Sequence, residues 1–272
     1  MDFLSEIFQY RFLSNAVIAS ILAGIACGII GTYIVSRRLV FLSGGITHSS
    51  FGGIGMAYYM GLNPIAGAFV FAVLSAIGMA AVTQKGQMRE DSAIGILWSV
   101  GMAVGIIFIA LTPGYAPNLM SLLFGNILTI GKTDLVLMLA LDVILISIMI
   151  LMYRPILYIS FDREYAASQN LPVKFIGYLM MILTASTIVV SIRMVGIVLL
   201  ISLLTFPPVI VNSLSGSYKR ITLFSILISV LGLLTGLFIS YKTNIPSGAS
   251  TIIVLTITLI IVRITAYFLK KD

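Results

Sequence analysis

The sequence holds one histidine, His48, at the centre of a glycine-rich run, LVFLSGGITHSSFGGIGMAYYMG (39–61). At helical spacing Gly44, His48 and Gly52 fall on one face, with Gly45, Ser49 and Gly53 beside them. Such a face lets helix backbones approach closely or leaves room for a passing ligand, and it is polar at its centre. A histidine within an apolar helix turns to the bundle interior or to a wet cavity. Neutral imidazole binds first-row divalent metals, so His48 is a candidate transient cation ligand and the five small residues are candidate pathway lining. The alternative is a His48 that only hydrogen-bonds across a helix interface.

Asp142, in LALDVIL, is the one acid in the middle of an apolar run. A carboxylate there costs about 3 kcal/mol on insertion scales, so it needs a partner or water. It is either a second cation contact or the acceptor of a structural bond from Ser, Thr or an Arg such as Arg193. Asp134, at the start of the same run, matches the dipole of a helix N-terminus. In MREDSAIG (88–95), Asp91 or Ser92 is expected to cap the following helix. The pairs Gly24/Gly28 and Gly101/Gly105 have the spacing of close helix packing. Trp98, Tyr58, Tyr59 and Tyr241 fit interfacial anchoring or packing. GxSxG, HExxH and Walker A patterns are absent, so the chain carries no P-loop of its own and energy for a pump must come from elsewhere.

The elements that position these residues must be transmembrane. Of 272 residues, 60% are hydrophobic and 9% charged, far from the quarter or so of charged residues in soluble domains. Nine spans of roughly 20 residues use about 180 positions and leave short loops. Apolar runs between charges and turn signals fall at 14–36, 40–60, 64–83, 92–112, 133–153, 174–192, 194–213, 221–240 and 247–268. The seventh is short and carries Pro207-Pro208, which makes it a candidate broken or re-entrant element, hence eight or nine spans. Cys27, the sole cysteine, lies within the first run, so there is no disulfide and no thiolate cage. Residues 1–13 lack a basic n-region and a small-residue cleavage site, so no cleaved signal peptide is expected.

The net charge of +7 is spread as single residues and pairs between the runs, an orientation signal rather than a nucleic-acid patch. Alternating sides put Arg37, Arg38, Lys85, Arg89, Arg154, Arg163, Lys174, Lys219, Arg220, Arg263, Lys270 and Lys271 on one face. Arg11, Lys132, Arg193 and Lys242 fall on the other. The richer face is cytoplasmic by the positive-inside rule, which puts the N-terminus outside and the C-terminus inside. Between spans, residues 112–132 are expected to form an outer re-entrant or interfacial helix, and residues 153–174 make the longest polar excursion, on the cytoplasmic side.

The stretches SRRLVFLSGGITHSSFGGIG (36–55), REDSAIGILWSVGMAVG (89–105), FDREYAASQNLP (161–172), IRMVGIVLLISLLTFPP (192–208) and SYKTNIPSGAS (240–250) resemble the permease subunit of ABC-type zinc, manganese and iron importers. Five collinear motifs over residues 14–262 carry the resemblance. It implies an all-α polytopic bundle similar to type II ABC importer permeases, forming a single permease domain over 1–272. It further implies a homodimer of permeases in a prokaryotic plasma (inner) membrane, two cytoplasmic ATPases that bind the ATP, an extracytoplasmic metal-binding protein, and a transported divalent metal ion with no resident cofactor. By the same resemblance the segment at 161–172 is the coupling helix that docks on the ATPase, with Asp162, Glu164, Ala166 and Ala167 at the matching positions. Many members carry an acid four residues before the equivalent of His48; here that position is Gly44.

Two other classes stay in view. A secondary transporter driven by protons or sodium would need more buried charge than one His and one mid-span acid, and an internal inverted repeat, of which the spans give no clear sign. An intramembrane enzyme would need a paired acid/base or chelating motif.

Overall fold

The computed structural model describes residues 6, 7, 9–84, 89–113, 125 and 130–269. Among them the regular elements are helices: α1 (Arg11–Ser36), α2 (Val40–Tyr59), α3 (Pro64–Gln84), α4 (Glu90–Leu111), α5 (Lys132–Leu151), α6 (Tyr153–Phe161), α7 (Arg163–Ser168), α8 (Val173–Asn212), α9 (Tyr218–Thr243) and α10 (Ser247–Leu269). The expected outer helix within 112–132 lies almost wholly outside the described residues.

Among the described residues eight helical segments are long and apolar enough to cross a bilayer: Arg11–Ser36, Pro64–Val82, Asp91–Leu111, Lys132–Leu151, Val173–Ile192, Met194–Asn212, Tyr218–Thr243 and Ser247–Phe268. The segment with Pro207-Pro208 is among them, continuously helical past both prolines and well buried. The long helix that is missing from this set is α2, whose 20 residues are long enough to span at about 1.5 Å per residue but are rich in Gly, Ser and Thr. α8 is interrupted at Gly196, with φ 79° and ψ 164°, a conformation essentially confined to glycine.

Packing divides the chain into two compact units. The first holds Met1–Arg38, Met120–Ile150 and Val190–Asp272; the second holds Leu39–Leu119 and Leu151–Val189.

In the first unit α1 packs along α9, and α9 along α10. Without a hydrophobic drive between helices in lipid, close backbone approach supplies the attraction, and this needs small residues. Gly24 and Gly28 provide it: a Cβ would lie 2.8 Å from Val230 N at Gly24 and 2.6 Å from Ile226 Cα at Gly28. Gly236 is similarly pressed on Thr251 of α10. At Gly125, with φ 69°, a Cβ would stand 2.5 Å from the backbone of Val195 and Gly196, so the chain passes directly against the break in α8. Tyr241 at the end of α9 donates its hydroxyl hydrogen to the Glu6 carboxylate, a specific tie in place of plain anchoring. The outward face of α10 carries exposed Ile253, Ile257, Ile260 and Ile264, the composition that hydrocarbon solvates.

In the second unit α2 lies between close neighbours on two sides, α3 and α4. Asn63 opens α3 by accepting from Ile65 N at 2.9 Å. The expected cap of α4 is corrected: its N-cap is Arg89, without a side-chain cap bond, and Asp91 and Ser92 sit inside the first turn. The acid still lies where the helix dipole favours it. In the first unit Asp134 behaves as expected, accepting from Gly131 N at 3.0 Å at the start of α5.

Candidate metal pathway

His48 is fixed at the middle of α2, in the second unit, half-exposed between fully buried Thr47 and buried Ser49. Its imidazole lies parallel to the indole of Trp98 on α4, ring centroids 4.0 Å apart and planes 13° from coplanar. The Nδ1 atom is buried and has no hydrogen-bond partner among the described residues. A cross-helix hydrogen bond to Nδ1, the structural alternative for this residue, is therefore not made. The nitrogen keeps a free lone pair or N–H in a partly enclosed site, the condition under which imidazole can take a metal or an ordered water. The local sequence directed Trp98 to a packing or anchoring role. Its partnership with His48 joins residues 50 positions apart, which no local pattern reveals.

The small residues around His48 are occupied with helix contacts. A Cβ on Gly45 would lie 3.0 Å from Ile94 Cγ2, and one on Gly52 would lie 2.9 Å from the Gly101 carbonyl oxygen. Gly53 stands against the carbonyl group of Gly67, and Gly55 against Gly105, where a Cβ would lie 2.8 Å from its Cα. Ser49 faces Gly101, whose own Cβ would meet the Ser49 Cβ at 2.9 Å, and the Ser49 hydroxyl donates to Ile46 O at 2.9 Å. Gly44 is buried. Glycine on α2 meets glycine on α3 and α4, so this face brings three helices close and holds the His48–Trp98 pair between two of them. Gly101/Gly105 is half of that interface, as its spacing indicates.

Asp142 lies in the first unit, 2% exposed, at the middle of α5. Neither carboxylate oxygen has a hydrogen-bond partner among the described residues, so the expected bond from Ser or Thr is not formed there; the side chain of Arg193, the other expected donor, lies outside the described residues. Cys27 of α1 and Ser191 of α8, in the same unit, are also buried. Among the described residues no three of His, Cys, Asp and Glu come together as a metal-holding cluster.

The polar excursion at 153–174 folds as α6 and α7. Asp162 caps α7, its Oδ1 accepting from Tyr165 N at 2.9 Å, and Asn170, with φ 54°, ends the turn beyond it. Ala166 is fully buried, while Asp162, Glu164 and Ala167 are exposed. Tyr165 packs edge-on against Tyr158 of α6, ring centroids 5.5 Å apart, which braces the two short helices. The short helix thus pins itself by one alanine and displays two acids and a second alanine.

Eight apolar spans together with one polar, histidine-bearing helix are the build of a multi-pass membrane transport permease. Residues 9–266 match the ABC 3 transport family. The chain is 41% identical to an uncharacterised membrane protein of Synechocystis over 96% of its own length and 93% of the relative's. It is 33% identical to the manganese transport system membrane protein MntC of Halalkalibacterium halodurans, covering 93% of this chain and 86% of that one. Among solved structures it is similar to PsaBC from Streptococcus pneumoniae in complex with Fab, with a TM-score of 0.85 and 29% identity over 96% of this chain and 94% of that one. The chain belongs to the ABC 3 transport family. It is a multi-pass, all-α membrane permease of an ABC metal importer.

Proposed function

We propose that this permease carries manganese(II), or a divalent transition metal close to it, into the cytoplasm, with His48 as a transient ligand on the route. The relatives named as manganese transport proteins support the cargo. The geometry at His48 supports the residue: a mid-helix imidazole held flat by Trp98, with a buried, unpartnered Nδ1. With Gly44 in place of an acid one turn earlier, the site offers a nitrogen without an adjoining carboxylate, which lowers its hold on a hard cation and favours release over retention. Gly44, Gly45, Ser49, Gly52 and Gly53 serve the route by letting α2 stand close to α3 and α4, which fixes where the imidazole points.

The energy comes from ATP on a separate ATPase, because the chain has no P-loop. The docking element is α6–α7, with Asp162, Glu164 and Ala167 on display and Ala166 as the buried anchor. The basic residues on this side of the chain assign it to the cytoplasm and the N-terminus to the outside. Two copies of the chain, two ATPases and an external metal-binding protein complete the transporter in a prokaryotic plasma membrane.

The test is uptake of manganese(II) into proteoliposomes that contain the chain, its ATPase and ATP, with the external binding protein supplied. Uptake is expected to require ATP and to fall with His48→Ala while assembly is unchanged. Deletion of 161–170 is expected to abolish co-purification of the ATPase without preventing membrane insertion. Transport by the chain alone under a proton or sodium gradient would overturn the reading.

A further inference from the structure

Between Glu164 and Asp272 the sequence has no acidic residue, yet this stretch carries Lys219, Arg220, Arg263, Lys270 and Lys271. Arg263 lies inside the apolar span Ser247–Phe268, about 8 Å of helix before its end, and is exposed. A charge at that depth reaches the headgroup level by extending its side chain. Here it lines a groove of about 640 Å³, together with Ala266 and Tyr267 of α10, Val209 and Asn212 of α8, and Ser213 just beyond α8. All six residues belong to the first unit. The spans Met194–Asn212, Tyr218–Thr243 and Ser247–Phe268 follow one another, so the ends of α8 and α10 lie on the same side of the membrane. The Ser213 hydroxyl is committed to Val209 O at 3.0 Å. The Arg263 guanidinium, the Asn212 amide and the Tyr267 hydroxyl have no hydrogen-bond or ionic partner among the described residues. Lys219 and Arg220, exposed at the start of α9 a few residues beyond Ser213, add charge of the same sign. The groove has the size of a small-ligand site, roughly 300–1,000 Å³. Donors without a carboxylate among them select an anion.

We propose that this groove binds the phosphate of an anionic phospholipid, whose acyl chains lie along the outward face of α10. Its place favours a lipid over a soluble phosphate. The groove is at the ends of two spans, and toward the membrane centre α10 exposes Ile253, Ile257, Ile260 and Ile264, a strip that hydrocarbon solvates. The planar fork of Arg263 matches two phosphate oxygens, while the Asn212 amide and the Tyr267 hydroxyl supply further donors. Basic pockets between spans at headgroup depth hold anionic lipids by these contacts. One bound lipid thereby ties the end of α8 to the end of α10.

The measurement needs neither transport nor metal. The full chain in detergent is titrated with phosphatidylglycerol or, for comparison, with neutral phosphatidylcholine, and native mass spectrometry counts the lipid retained. Saturable retention of phosphatidylglycerol in preference to phosphatidylcholine is expected. Arg263→Gln should weaken it by about tenfold, the equivalent of one charge-assisted contact. Asn212→Ala should weaken it less, and Arg263→Lys should recover part of the loss, because the charge stays while the fork is gone. Lys242→Gln removes the same charge at the opposite end of α9 and should change nothing. Circular dichroism and elution volume report folding; if Arg263→Gln is misfolded, Arg263→Lys and Asn212→Ala decide. Unchanged retention in folded Arg263→Gln overturns the proposal, and a simultaneous change in the proportion of dimer would assign the groove to a second copy of the chain. An equal loss in Lys242→Gln would show an effect of net charge without a site, and overturns it too. Displacement of the lipid by millimolar inorganic phosphate would make this a soluble-phosphate site and overturn the lipid assignment.

Discussion

The imidazole of His48 lies on the indole of Trp98, ring centroids 4.0 Å apart with planes 13° from parallel. The stack fixes the plane in which the ring nitrogens point, so the direction of the unpartnered Nδ1 is set by a residue on a different helix. Aromatic pairs of this kind contribute about 0.5–1.5 kcal/mol beyond their area. Trp98→Ala should therefore raise the KM for manganese(II) uptake by up to about tenfold, with kcat changed less, and Trp98→Phe should fall between the two. Uptake kinetics in proteoliposomes read this out; an unchanged KM in Trp98→Ala would show that the stack does not position the ligand.

The glycine contacts of α2 set a different expectation. A side chain at Gly53 would drive into the carbonyl group of Gly67, whereas nothing lies within 4 Å of the Cβ position at Gly78 on α3. Gly53→Val is expected to cost about 1–3 kcal/mol or more by overpacking. Its thermal unfolding in detergent should begin several degrees below the parent, while Gly78→Val stays near it. Equal melting of the two variants would mean that α2 and α3 separate without penalty.

At Gly196 the backbone itself is the constraint. With φ 79° and ψ 164° the residue is in a region that side chains avoid, at a cost of about 1–3 kcal/mol. Gly196→Ala should lower the melting temperature and alter the break in α8. Gly216→Ala, where the Cβ position is open, is the control and should have little effect.

The cap of α7 separates helix integrity from charge. Asp162→Ala removes the bond to Tyr165 N and should cost about 1 kcal/mol of local helix stability; Asp162→Asn keeps the acceptor and loses the charge. Co-purification of the ATPase is expected to drop with Asp162→Ala and to be largely retained with Asp162→Asn. Full retention in both variants would show that the capped helix is not the contact.

Much of this was legible because a bilayer imposes a simple rule. Each span must be apolar over some 20 residues, so the runs beginning near 14, 64, 92, 133, 174, 194, 221 and 247 appear as helices within a few residues of their observed ends. The seventh run, a candidate broken element, does hold a break, but at Gly196 near its start; the helix runs on through Pro207-Pro208, which membrane helices tolerate when neighbours satisfy the freed carbonyls. Arg89, rather than Asp91 or Ser92, precedes α4, because helix ends depend on backbone geometry that a capping motif does not fix.

By itself the sequence determined that the chain spans a membrane, which residues are too polar to lie idle there, and which short segment carries the exposed acids of α7. Periodicity and hydropathy are properties of one helix at a time, and those conclusions need nothing more. Only the tertiary structure decided what the polar residues meet. It turned the glycines of α2 into contacts with α3 and α4, laid Trp98 against His48, and gave neither oxygen of Asp142 a hydrogen-bond partner among the described residues. Those are meetings of residues distant in the chain, created when helices close on one another, and spacing along a single helix holds no record of them.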